Sequence, residues 1–221
     1  MTKRAYALDA LRGYAIITMV LSATVAWNSL PGWMYHAQTP PPDRAFDASL
    51  SGITWVDLVF PFFLFAMGAA FPFSIKKRFE KGDTKLRLVY EAIKRGAQLT
   101  FFAIFIQHFY PYMLSSPQDM RAWLLAILCF VVLFPMFMRI PLKMPDWAHI
   151  SIKVGAYIVA AIMLATTSYA DGKTFSLFSS NIIILLLANM AIFGSILYIF
   201  TMHNRWMRLG ILILLMAMIL G

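Results

Sequence analysis

Residues 33–68 read WMYHAQTPPPDRAFDASLSGITWVDLVFPFFLFAMG, and this stretch decides the fold class. Its second half is apolar enough to enter a lipid bilayer as a helix, opened by Thr54, Trp55 and Asp57. Thr54 and Asp57 stand three apart, the Ser/Thr-x-x-Asp/Glu spacing that marks a helix start. The first half is a polar loop broken by Pro40, Pro41 and Pro42, and it holds one histidine, His36. An imidazole titrates at about pH 6.5 in general, which suits proton transfer near neutrality. Held beside a membrane boundary, His36 is the leading candidate for chemistry in the chain.

The composition agrees with a membrane reading. Of 221 residues, 61% are hydrophobic and 13% charged, whereas soluble domains are near half apolar and a quarter charged. The expectation is an all-α, polytopic helical membrane protein, because helices satisfy every backbone polar group inside lipid. The net charge of +9 invites a nucleic-acid reading. Its basic residues instead cluster in short segments between apolar runs, which is the positive-inside pattern and excludes a phosphate-tracking groove.

The predicted spans are residues 10–30, 54–75, 88–110, 122–138, 150–168, 179–201 and 207–221, about seven in all. A secretory signal is the alternative for the first, with Thr24-Val-Ala26 as a weak cleavage site, but further spans follow it. With the amino terminus cytoplasmic, sixteen of the 19 Lys and Arg residues fall inside. Only Arg44, Arg121 and Lys173 fall outside, which places the His36 loop extracytoplasmically. The last span stops at Gly221 without a polar flank, so residues 1–221 read as a single transmembrane domain that continues beyond them. The single cysteine, Cys129, sits in the apolar run LLAILCFVVLF and reads as a packed small hydrophobe.

The loop of residues 31–53 has no clear element of its own, and loops of that length are commonly functional. Trp33, Met34, Tyr35 and Phe46 suit a lid over the helix ends. Asp57 is a helix cap, a group that orients His36 or a substrate amine, or both. Trp33, Asp43, Arg44 and Trp55 are the candidate substrate-binding residues. Asp9 and Arg12, three apart on the first span, pair across one turn or hold an anionic cofactor, since arginine favours phosphate. Glu91 with Lys94 or Arg95 reads as a solvated pair. His108, His149 and His203 lack carboxylates at metal-ligand spacing, so no metal is expected.

With LDALRG (8–13), MYHAQTPPP (34–42), GITWVDLVFPFFLFAMG (52–68) and NIIILLLANMAIFGS (181–195) on the page, the chain resembles a known family. These are the heparan-α-glucosaminide N-acetyltransferase-like membrane proteins, which include bacterial members described as domain of unknown function 5009, within a transmembrane acyltransferase superfamily. The resemblance implies transfer of acetyl from cytoplasmic acetyl-CoA to the amine of a terminal glucosamine across the membrane. It implies that His36 is the catalytic histidine, as general base or acetyl carrier, and that the protein is a homodimer. Family members have an asparagine late in the first span. Here Ala23 matches that position, with Ser22 beside it and Asn28 further along. The alternative function is an amino-sugar carrier gated by the 31–53 loop, although Pro61 and Pro72 break the second span with no matching second half. A third reading is a scaffold without turnover.

Overall fold

The computed structural model describes residues 6–24, 29–39, 45–138, 144–172 and 174–220. These residues are helical and contain no strand. Nine α-helices are described: α1 Tyr6–Thr24, α2 Trp55–Glu80, α3 Lys85–His108, α4 Pro111–Leu114, α5 Met120–Phe137, α6 Asp146–Thr166, α7 Ile182–Asn189, α8 Ser195–Thr201 and α9 Arg205–Leu220. A π-turn, Met190–Gly194, joins α7 to α8.

Four helical stretches are long and apolar enough to cross a membrane: Trp55–Glu80, Met120–Phe137, Asp146–Thr166 and Ile182–Thr201. The chain is an integral membrane protein by this measure, and the expected count of about seven spans is not supported. The reasons are physical. The helix expected at 88–110 is α3, whose first half carries Lys85, Arg87, Glu91, Lys94 and Arg95, and such charges are costly in hydrocarbon. The helix expected at 207–221 is α9, whose 16 residues rise about 24 Å against a hydrocarbon core of about 30 Å. The helix expected at 10–30 is α1, which carries Asp9 and Arg12, and residues 25–28 lie outside the described set.

The chain forms two compact units, Met1–Glu91 with Phe193–Gly221, and Ala92–Ile192. In the first unit, α1 packs along α2, and an Arg12 guanidinium N–H donates to Ala66 O at 3.2 Å. A small core joins Ile75, Leu88 and Ile199, with Phe71, Phe79, Val89 and Tyr198 against it. α2 ends at Lys81 and Gly82, whose φ of +96° suits a residue without a Cβ. Asp83 then binds Arg78 Nε at 2.8 Å and Arg87 at 3.2 Å, which ties the turn between α2 and α3.

In the second unit, α5 and α6 form an antiparallel pair. α5 is capped by Asp119, whose carboxylate accepts from Ala122 N–H at 2.8 Å. That bond holds the Asp119 carboxyl below the usual carboxylate range, against a smaller effect of burial. One face of α5 buries Ala122, Cys129, Val132, Leu133 and Met136 against Ala156, Ala160 and Met163 of α6. The alanines of α6, four apart, let the two backbones approach. The other face of α5 exposes Trp123, Leu124, Ile127, Phe130 and Phe134, a surface suited to lipid. Gly96 belongs to the same unit: a Cβ there would meet Ile192 Cγ1 at 2.1 Å, so α3 and the π-turn close on a hydrogen.

Candidate functional site

The site is built on the start of α2. Thr54 takes extended backbone angles, and Thr54 and Asp57 make a capping box. Asp57 Oδ2 accepts from Thr54 N–H at 2.8 Å, and Ala37 N–H approaches it at 3.4 Å. The Thr54 hydroxyl lies 2.6 Å from Tyr35 O and 3.0 Å from Asp57 Oδ2. Its one proton serves one acceptor at a time. Asp57 therefore spends one oxygen on the helix start and on the loop backbone.

Its other oxygen, Oδ1, is hydrogen-bonded to His36 Nδ1. A carboxylate only accepts, so Nδ1 carries a proton, and in the neutral form of the ring the lone pair falls on Nε2. Nε2 has no hydrogen-bond partner among the described residues, and the side chain is 58% exposed. The pair thus presents an oriented ring nitrogen to whatever occupies the space beyond Nε2.

The loop that carries His36 is laced rather than loose. A short turn over Gly32–Met34 leads to buried Tyr35, whose hydroxyl accepts from Leu30 N–H at 3.1 Å. Thr39 N–H returns to His36 O at 3.0 Å. Asp47 N–H donates to Gln38 O at 2.8 Å, and Gln38 Nε2 donates to Gly52 O at 3.2 Å. Gly52 sits at φ +145° with Ala37 close against it, so the two arms of the loop meet beside His36. Ser49 donates through its hydroxyl and amide to Asp47 at 2.7 and 2.9 Å, which holds the Asp47 carboxyl below its usual range.

The structure brings His36 and Asp57 together. Trp33 lies three residues before His36 and is largely exposed. Trp55 follows the cap, with its indole Nε1 buried and without a hydrogen-bond partner among the described residues. Asp43 and Arg44 lie outside the described residues, as do Pro40, Pro41, Pro42, Asn28 and the side chain of Ala23. Asp9 and Arg12 pair at 3.6 Å but not beside His36. Arg12 meets α2 at Ala66, nine residues beyond Asp57, or about 14 Å along the helix axis. Among the described residues no three His, Cys, Asp or Glu side chains gather as a metal site.

Sequence reasoning gave no role to Gln38 and Thr39, although both lie within MYHAQTPPP (34–42). The match to a family model covers residues 4–221, under the description "Domain of unknown function (DUF5009)". The chain belongs to the DUF5009 family. No curated protein and no solved structure matches it. The His36–Asp57 pair of this DUF5009 chain is therefore read from its own geometry.

Proposed function

We propose that this DUF5009 protein is a membrane acetyltransferase of the heparan-α-glucosaminide N-acetyltransferase-like kind. It moves acetyl from cytoplasmic acetyl-CoA to the amine of a glucosamine-type sugar on the extracytoplasmic side. The observation that carries the reading is the His36–Asp57 hydrogen bond, which leaves Nε2 as an oriented, accessible base. Among the described residues no serine or cysteine bonds to that nitrogen, which is in keeping with a nucleophile that comes with the acceptor.

In the proposed reaction the neutral amine attacks the thioester carbonyl carbon and forms the C–N bond. His36 Nε2 takes the ammonium proton as it develops, and Asp57 stabilises the imidazolium through Nδ1–H. The C–S bond breaks, and the departing thiolate of CoA takes the proton back, so charge and atoms balance. The other route, with acetyl carried briefly on Nε2, uses the same free nitrogen.

Acetyl-CoA is a co-substrate here. Arg12 supplies a cation for its phosphates: two of its contacts go to Asp9 and Ala66 O, and a guanidinium has five N–H donors. The separation of about 14 Å along α2 between Arg12 and Asp57 is one that an extended pantetheine arm covers. Positive-inside charge supports a cytoplasmic amino terminus in a bacterial-type inner membrane. Trp33 and Trp55, with Asp43 and Arg44, complete the proposed acceptor side, and a homodimer is the proposed assembly.

The test is the purified protein in liposomes with labelled acetyl-CoA and a panel of glucosamine-terminated acceptors. Acetylated sugar is the expected product. Sugar uptake without any acetylation would instead identify a carrier gated by the same loop.

A further inference from the structure

We infer that the acceptor at the His36 site is an amine-headed amphiphile held in the membrane, with its alkyl chain lying against the apolar rim of the 29–53 loop. This rests on the acetyltransferase reading and names its substrate class. The rim is the first observation. Trp33, Phe46 and Ile53 are 64%, 75% and 74% exposed, and Leu50 is also exposed. The loop's own bonds bring these side chains to the neighbourhood of His36. Asp47 N–H on Gln38 O sets Phe46 beside the His36 arm. The Gln38 amide on Leu50 O and Gly52 O does the same for Leu50 and Ile53.

The level of the rim is the second observation. Ile53 directly precedes the cap of α2, a helix long and apolar enough to cross the membrane. The rim therefore lies at a membrane boundary, where an apolar chain anchored in one leaflet reaches it without leaving lipid. A free glycan in water would gain little from Leu50 and Ile53, whose aliphatic side chains offer no hydrogen bond to hydroxyls.

Charge is the third. The described loop residues, 29–39 and 45–53, hold no Lys or Arg, and their one charged side chain is Asp47. Asp57 adds a second carboxylate at the helix start. The Asp47 and Asp57 carboxylates suit a head group that approaches as an ammonium. Apolar rim and membrane level, beside the carboxylates of Asp47 and Asp57, point to an amine-headed amphiphile.

The experiment compares methyl and dodecyl β-glucosaminide as acceptors for the native protein and for the Phe46→Ser, Ile53→Ser double variant, all in liposomes with labelled acetyl-CoA. The expected result is a kcat/KM for the dodecyl compound at least about tenfold above the methyl compound, since burial of only a few methylenes is needed for that. In the double variant this ratio falls to about threefold or less. An unchanged ratio in the variant means that the dodecyl chain merely partitions into lipid, with the loop serving as a plain membrane anchor, and overturns the inference. So does a native ratio near one, which leaves acetyl transfer itself standing.

A second measurement needs no turnover and no variant. A dodecyl glucosaminide with a photoreactive group on its chain is crosslinked to the native protein and mapped by peptide mass spectrometry. Label on residues 29–53, displaced by unlabelled dodecyl but not methyl glucosaminide, supports the inference even where no acetylation is found. Label confined to the membrane helices overturns it.

Discussion

His36 and His108 are both imidazoles with Nδ1 tied down, and they differ in what becomes of Nε2. At His36, Nδ1 faces Asp57 and Nε2 faces open space. At His108, Nδ1 donates to Ile104 O at 2.8 Å, and Nε2 accepts from Ser176 N–H at 3.2 Å. His108 is 1% exposed and is walled by the rings of Tyr169 and Phe175. The burial there also pushes the Tyr169 phenol above its usual range. One histidine is left able to act, and the other joins a helix end to the segment after α6. Hydrogen-bond saturation, rather than residue type, separates an imidazole with an open nitrogen from one with none.

The largest effect expected from breaking this contrast is on catalysis. Replacement of His36 by Ala lowers acetyl transfer by roughly 10²–10⁴, the usual worth of general-base help. Its exposed side chain leaves thermal stability nearly unchanged. Asp57→Asn comes next, with a loss of roughly 10² or more, because the amide no longer fixes the Nδ1–H tautomer. Steady-state rates at saturating acetyl-CoA check both.

His108→Ala is expected to do the reverse. It strands the Ser176 N–H and opens a cavity, at a cost of about 1–3 kcal/mol or more. Melting in detergent detects that cost, while the rate per folded molecule stays close to native. A smaller effect is expected at Gln38→Ala. Loss of its bonds to Leu50 O and Gly52 O, together worth about 1 kcal/mol, raises KM a few-fold and lowers melting by only a few degrees.

The smallest effect is pH-dependent and belongs to the second unit. The folded Asp119 carboxyl lies below its unfolded value of about 3.9. Its contribution is therefore present above that pH and lost as pH falls through the folded value. Asp119→Asn, compared with native protein by melting, shows a deficit at neutral pH that closes below about pH 4.

Much of this site was legible in the chain. Thr54 and Asp57 declared the helix start by spacing, and a lone histidine in a proline-broken loop declared the base. The pairing of Asp57 with His36 was legible as one reading of Asp57, whereas the bonds of Tyr35 O, Ala37 N–H and the Gln38 side-chain amide that hold the loop in place were not. The spans were overcounted for a related reason. Apolar content alone let α3 and α9 count as spans, whereas the five charges of α3 and the 16 residues of α9 set them apart. The role of His108 was also hidden, since Ser176 lies 68 residues away in sequence.

The most direct test of the central claim is acetyl transfer from labelled acetyl-CoA to a glucosaminide, measured side by side for native protein, His36→Ala and His108→Ala in liposomes, with acetyl-CoA binding followed in parallel. The account predicts product from native and from folded His108→Ala protein, and almost none from His36→Ala although acetyl-CoA still binds. Transfer that survives in His36→Ala at the native rate would contradict it.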